Sequence, residues 1–243
     1  MEDIALSGIS HQSKHITDGS ANRLYNSPSG ILKKLLLTGF FLLLVMPKLL
    51  FGQAISWTGD GDGVSWNNAA NWSENRVPGA EDDVLITLNG TYTVEQTGNV
   101  TVNSIILGAE EGTQTLRKTA SSFSISAESS IGPNGVLLME NGYIVGEGSL
   151  TNNGIIRANS TNWTGINSFL LINEGIMEQI AGIFYITNAI FDNRARYDIQ
   201  GDHPIFRQGS SATFINSGHL VKTASDDGTS RITTAVYSRP EST

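Results

Sequence analysis

From Val84 onward the chain beats in short apolar runs broken by turn residues. Val84-Leu-Ile-Thr-Leu88 leads into Asn89-Gly90, a hairpin-type or tight-turn signal; Tyr92-Thr-Val94, Val100-Thr-Val102 and Ser104-Ile-Ile-Leu107 follow. No stretch keeps the 3.6-residue spacing of an amphipathic helix, so the pattern predicts an all-β chain, with Val84 opening the first strand. Between Leu150 and Leu220 one phrase comes back four times: Leu150-Thr-Asn152-Asn-Gly154-Ile-Ile156, Leu171-Ile-Asn173-Glu-Gly175-Ile-Met177, Phe191-Asp-Asn193-Arg-Ala195-Arg-Tyr197 and Phe214-Ile-Asn216-Ser-Gly218-His-Leu220. The asparagines stand 21, 20 and 23 residues apart.

A fixed period of this size marks a solenoid, in which each turn stacks on the last. The short strands and frequent turns suit a coil of three short faces better than a sandwich, whose strands are longer. Leucine-rich repeats share the period and the Asn but place Leu three, five and eight residues before it. Before Asn152 those positions hold Ser149, Glu147 and Ile144, so that pattern fails. The prediction is a right-handed parallel β-helix of about twenty-residue coils over 84–234. Asn152, Asn173, Asn193 and Asn216 then form a structural ladder. An amide at one place in successive turns can donate to one neighbour and accept from the other, or cap a tight turn.

Residues 55–83 hold three of the four tryptophans, Trp57, Trp66 and Trp72. An end cap over the solenoid core accounts for them, because an open stack needs a cover. The alternative is a ligand platform whose rings stack on sugars. Asp60 and Asp62 fit the first and third positions of an EF-hand-like calcium loop, but the fifth is Val64 and the twelfth Asn71, so the closing acid is missing. A looser oxygen site with Glu81, Asp82 or Asp83 is the remaining calcium reading, against a plain solvated turn.

Ahead of the cap, Lys33-Lys34, the apolar run Leu35–Val45 and the exit Gly52-Gln53-Ala54 read as a signal peptide over 31–54. Pro47 and Lys48 stop the run short of the roughly 20 residues a membrane helix needs. Residues 1–30 are read as a disordered leader or a mis-assigned start. From Ile55 onward 20 acids face 10 bases, which argues against nucleic-acid or anionic-membrane partners and against stable membrane insertion after cleavage. The chain has no cysteine, so an exported form holds together without disulfides.

The opening Trp57…Trp66-Asn-Asn-Ala-Ala-Asn71-Trp72…Pro78…Asp82-Asp83-Val84, followed by Gly148-Ser-Leu150-Thr-Asn152-Asn-Gly154-Ile155, resembles the start of secreted bacterial repeat proteins. These are similar to pectin-lyase-like β-helices and haemagglutinin- or autotransporter-type adhesins. The resemblance implies export to the surface or medium, often in a longer chain. Glycans or other surface proteins are the expected partners, and no cofactor is expected. Residues 235–243 carry no Asn-x-Gly copy and read as an irregular, truncated end.

The sequence lacks the Gly-x-Ser-x-Gly, Gly-Lys-Ser/Thr, His-Glu-x-x-His and Gly-x-Gly-x-x-Gly signatures. A non-catalytic adhesin or matrix scaffold is therefore the expectation. The alternative is a polysaccharide lyase or hydrolase on the same fold, which needs facing carboxylates or a base with charge stabilisers. Its candidate residues are Glu178, Asp198 and Arg196. Residues 192–207, where Arg194 and Arg196 break the repeat, are its expected location.

Overall fold

The computed structural model describes residues 53–224, 228–234 and 236–238. The leader over 1–30 and the signal segment up to residue 52 lie outside them. The described chain is a parallel β-solenoid of about seven turns, its coils about 21 residues apart. Every strand pairing in it is parallel; the one antiparallel contact is an isolated bridge between Trp57 and Trp72. Asn89-Gly90 is thus a corner between two faces, not a hairpin.

Each coil has three faces. The first stacks nine strands: Gln53–Ser56, Asp82–Ile86, Ser104–Leu107, Glu128–Ile131, Ser149–Asn152, Leu170–Asn173, Ile190–Asn193, Thr213–Asn216 and Val236–Ser238. The second runs through Tyr92–Gln96, Gln114–Lys118, Gly135–Met139, the opening halves of Ile155–Asn167 and Ile176–Thr187, Arg196–Gln200 and His219–Ala224. The third holds Val100–Val102, Ser122–Ile125, Gly142–Val145, the closing halves of the two long strands and Ile205–Gln208. Two boundaries differ from the sequence reading. The first strand is Gln53–Ser56, inside the expected signal-peptide exit, and Val236–Ser238 continues the sheet where an irregular end was expected.

Alternation along each strand sends one set of side chains inward and stacks them in columns. Leu150, Leu171, Phe191 and Phe214 form one such column, all buried. Phe191 and Phe214 stack with centroids 5.0 Å apart, and Tyr197 packs on both while donating to Gln179 Oε1 at 2.8 Å. A neighbouring column changes character along the axis. It reads Ile86, Leu107 and Ile131, then Asn152, Asn173, Asn193 and Asn216.

The four asparagines form the ladder the sequence predicts. Asn152 Nδ2 donates to Asn173 Oδ1 at 2.8 Å, Asn173 to Asn193 at 2.7 Å and Asn193 to Asn216 at 2.7 Å. The second amide hydrogen of Asn152 goes to Ile176 O at 3.0 Å, and that of Asn173 to Arg196 O at 2.9 Å. One side chain therefore links the coils and also ties down the corner. The corners beside this ladder have two residues each: Asn153-Gly154, Glu174-Gly175, Arg194-Ala195 and Ser217-Gly218. Glycine suits these corners because they stack closely: a Cβ on Gly175 would sit 2.4 Å from Gly154 O.

Trp57, Trp66 and Trp72 close the N-terminal end, all buried. Trp72 packs edge-on against both others at 5.0 and 4.9 Å, and Trp66 reaches Phe123 at 5.8 Å. The loop carrying them is knotted by Asn71, whose Oδ1 accepts from Gly61 N and Gly63 N while its Nδ2 donates to Asp62 Oδ1 at 2.7 Å.

Candidate functional site

The expected charged cluster lies on the second face. In-register pairing makes Glu178 and Asp198 direct neighbours on adjacent coils, with Arg157 next to Glu178 in the same outward column. Each carboxylate is already partnered. Arg157 Nε meets Glu178 Oε2 at 2.7 Å, and Arg196 meets Asp198 Oδ2 at 2.8 Å, with Thr223 Oγ1 donating to Asp198 Oδ1 at 2.8 Å. Arg194 sits elsewhere, bridging Asp192 at 3.0 Å and Glu174 at 2.9 Å beside a corner. Lys222 pairs with Asp202, and Arg207 donates to the corner carbonyls of Gly209 and Ser210. The cluster is a set of ion pairs, Arg157–Glu178, Arg194–Glu174 and Lys222–Asp202 between coils and Arg196–Asp198 and Arg194–Asp192 within one, each of the kind worth about 0–1 kcal/mol where solvent reaches it.

The platform reading of the tryptophans is corrected by their burial. A ring that stacks on sugar must show a face to solvent, and the Trp57, Trp66 and Trp72 side chains are 3, 0 and 1% exposed. Asp62 serves the loop: its Oδ1 accepts from Val64 N at 2.9 Å and Ser65 N at 2.8 Å as well as from Asn71. The Ser65 N–H foremost, then Asn71, holds this carboxyl far below the usual range. Asp60 is exposed nearby, and no group of three or more His, Cys, Asp or Glu converges among the described residues.

Two surface hollows lie away from these residues. One, of about 860 Å³, opens between the wide corners of the N-terminal coils around Leu88, Asn89, Glu110 and Asn134. The other, about 500 Å³, runs along the outside of the first face over Ile106, Ser130, Thr151 and Ile172.

Sequence reasoning missed a row on the outside of the third face. Tyr143, Gly165, Tyr185 and Phe206 occupy one outward column. Gly165 leaves its place without a side chain, and Trp163 supplies the ring instead. Trp163 lies 4.6 Å from Tyr143 and 6.3 Å from Tyr185, which lies 5.9 Å from Phe206. All four rings are partly exposed. The signal was present, since the aromatics recur at steps of 20, 22 and 21 residues. It was hidden because Gly165 holds the column position and Trp163 stands two residues before it on the same strand.

No protein-family profile matches this chain, and neither a curated protein nor a solved structure does.

Proposed function

We propose that this chain is an exported, non-catalytic β-solenoid of bacterial adhesin or matrix type that binds through its faces. The observation that carries the reading is the regular coil stack, which presents side chains in straight rows while its charged groups pair with one another within and across coils. A solenoid of this kind offers long, rigid surfaces suited to extended partners. The acidic balance beyond residue 54 fits a soluble surface protein and opposes nucleic acid as partner. The segment over 31–54 supplies export, and the pectin-lyase-like resemblance agrees with both fold and address.

Expression of the full chain with a C-terminal tag, followed by cell fractionation and N-terminal sequencing, tests the reading. Processed protein on the surface or in the medium supports it; unprocessed protein retained inside the cell contradicts it.

The second reading is a carbohydrate-active enzyme. It is favoured by Glu178 and Asp198, direct neighbours on adjacent coils with Arg157 and Arg196 beside them, carboxylates and cations of the kinds lyase chemistry uses. Reducing-sugar and unsaturated-product assays decide it. Turnover abolished by Glu178→Gln and by Asp198→Asn would establish the enzyme.

A further inference from the structure

The third-face aromatic row answers a question the scaffold reading leaves open, namely what the surface holds. Resting on that reading, we infer that Tyr143, Trp163, Tyr185 and Phe206 form a stacking site for a neutral, extended polysaccharide lying along the solenoid axis.

Three features of the row point to this partner. The rings are spaced by the coil repeat. The ring centroids follow at 4.6, 6.3 and 5.9 Å with planes turned 42°, 74° and 54° to one another, so the row offers a sugar chain a contoured series of ring faces and edges on the scale of the ~4.8 Å coil rise. Aromatic faces pair with the flat C–H faces of such sugars through dispersion and burial of apolar surface.

Beside the rings runs a second outward column, Val145, Asn167, Thr187 and Gln208, rich in amide and hydroxyl groups. It is tied to the ring row. Tyr143 O–H donates to Gln208 Oε1 at 3.0 Å, and Thr187 Oγ1 donates to the same oxygen at 3.0 Å. A stacking row with a hydrogen-bonding rim, held before the ligand arrives, is the arrangement polyhydroxyl chains require, and prior ordering lowers the entropy cost of binding.

Charge selects among glycans. Neither column contains an acid or a base, and the nearest cation in sequence, Arg207, is engaged by the Gly209 and Ser210 carbonyls. An uncharged platform on a chain of net charge -8 matches a neutral polysaccharide and opposes a polyuronate.

Affinity electrophoresis of the full chain in native gels tests the inference, with hydroxyethylcellulose, glucomannan and xylan as neutral probes and polygalacturonate as the anionic one. Retardation by at least one neutral probe, weakened about tenfold by Trp163→Ala and by Tyr185→Ala, is the expected result. Ile172→Ser, on the first face, leaves it unchanged. Circular dichroism checks that each variant folds, and Trp163→Phe, which keeps a ring, restores most of the binding. The same contact quenches or shifts Trp163 fluorescence in the wild type, since the other three tryptophans are buried in the cap.

Three results overturn the inference: no retardation by any neutral probe, retardation by polygalacturonate alone, or retardation that the ring substitutions do not alter. Dimerisation in analytical ultracentrifugation that Trp163→Ala abolishes also overturns it, since a second copy would then cover the row. All of these leave the surface-scaffold reading intact, because that reading rests on export and lack of turnover.

Discussion

The two halves of the solenoid solve one problem by different means. A three-faced coil must turn sharp corners, and each corner strands backbone carbonyls and amides near the core, where an unpaired polar group is expensive. From Asn152 on, the solution is the repeated asparagine with its two-residue corner. Before Ile131 the same column is apolar, and the first corners are wider, 87–91 and 108–113. Single long side chains fill these N-terminal corners. Gln114 donates to Gly90 O and to Glu111 O while accepting from Ala109 N at 2.6 Å, and Asn134 donates to Ala109 O and Glu110 O. Away from these corners, at the turn from the second face to the third, fully buried Lys118 reaches Ala120 O at 2.6 Å and Asn141 O, as Gln179 reaches Gly182 O and Pro204 O further on. A repeated solution gives regular coils; individual solutions allow wide corners and the hollow between them.

The largest effect is expected from moving an amide into the apolar half. Leu107→Asn leaves a buried amide between Ile86 and Ile131 with nothing above or below to bond, a loss of about 4 kcal/mol in urea unfolding. The reverse exchange, Asn173→Leu, deprives Asn152 Nδ2, Asn193 Oδ1 and the Arg196 carbonyl of a partner at once and costs about 3 kcal/mol. Equal tolerance of both exchanges would erase the distinction between the halves.

Alkaline pH sharpens the contrast at Lys118. Burial pushes its pKa down to about 8, below the unfolded value, so between pH 8 and about 10 the unfolded chain holds the extra proton and stability rises with pH. Lys118→Met removes that rise, on the order of 2 kcal/mol. Above pH 10 the slope reverses in both proteins. Burial raises the phenols of Tyr92, to about 12, and Tyr197, so the folded chain then keeps protons the unfolded chain has lost.

At the acid end, the Arg76 hydrogen bond foremost, helped by Gly79 N, lowers the pKa of Asp82. Its contribution is complete above the unfolded carboxyl value and is lost as pH falls through the folded one. Asp82→Asn flattens that acid limb in thermal melts. The smallest effect belongs to the second-face pairs: Glu178→Gln changes stability by under about 1 kcal/mol.

The Asn-x-Gly phrase was enough to read the C-terminal coils because one residue type does the same work in every turn. The wide corners were illegible: nothing local in Gln114 or Asn134 says which carbonyls it will meet from the neighbouring coil. The tryptophans of 55–83 announced a cap by their place ahead of the repeats, and burial of all three removed the sugar platform also considered for them. The sequence offers Glu178, Asp198 and Arg196 only as residue types, and the Arg157 partner of Glu178 comes from register, which a twenty-residue period of varying step does not fix. The third-face row escaped because its second coil carries Gly165 in the column and its ring two residues earlier, at Trp163.

A double-mutant cycle on Asn173 and Asn193 tests the ladder most directly. Asn173→Ala, Asn193→Ala and the double variant are compared by urea unfolding. Because each residue is the other's hydrogen-bond partner at 2.7 Å, the double variant should lose about 1–2 kcal/mol less than the two single losses combined. Losses that add to within about 0.5 kcal/mol would show independent side chains and contradict a coupled ladder.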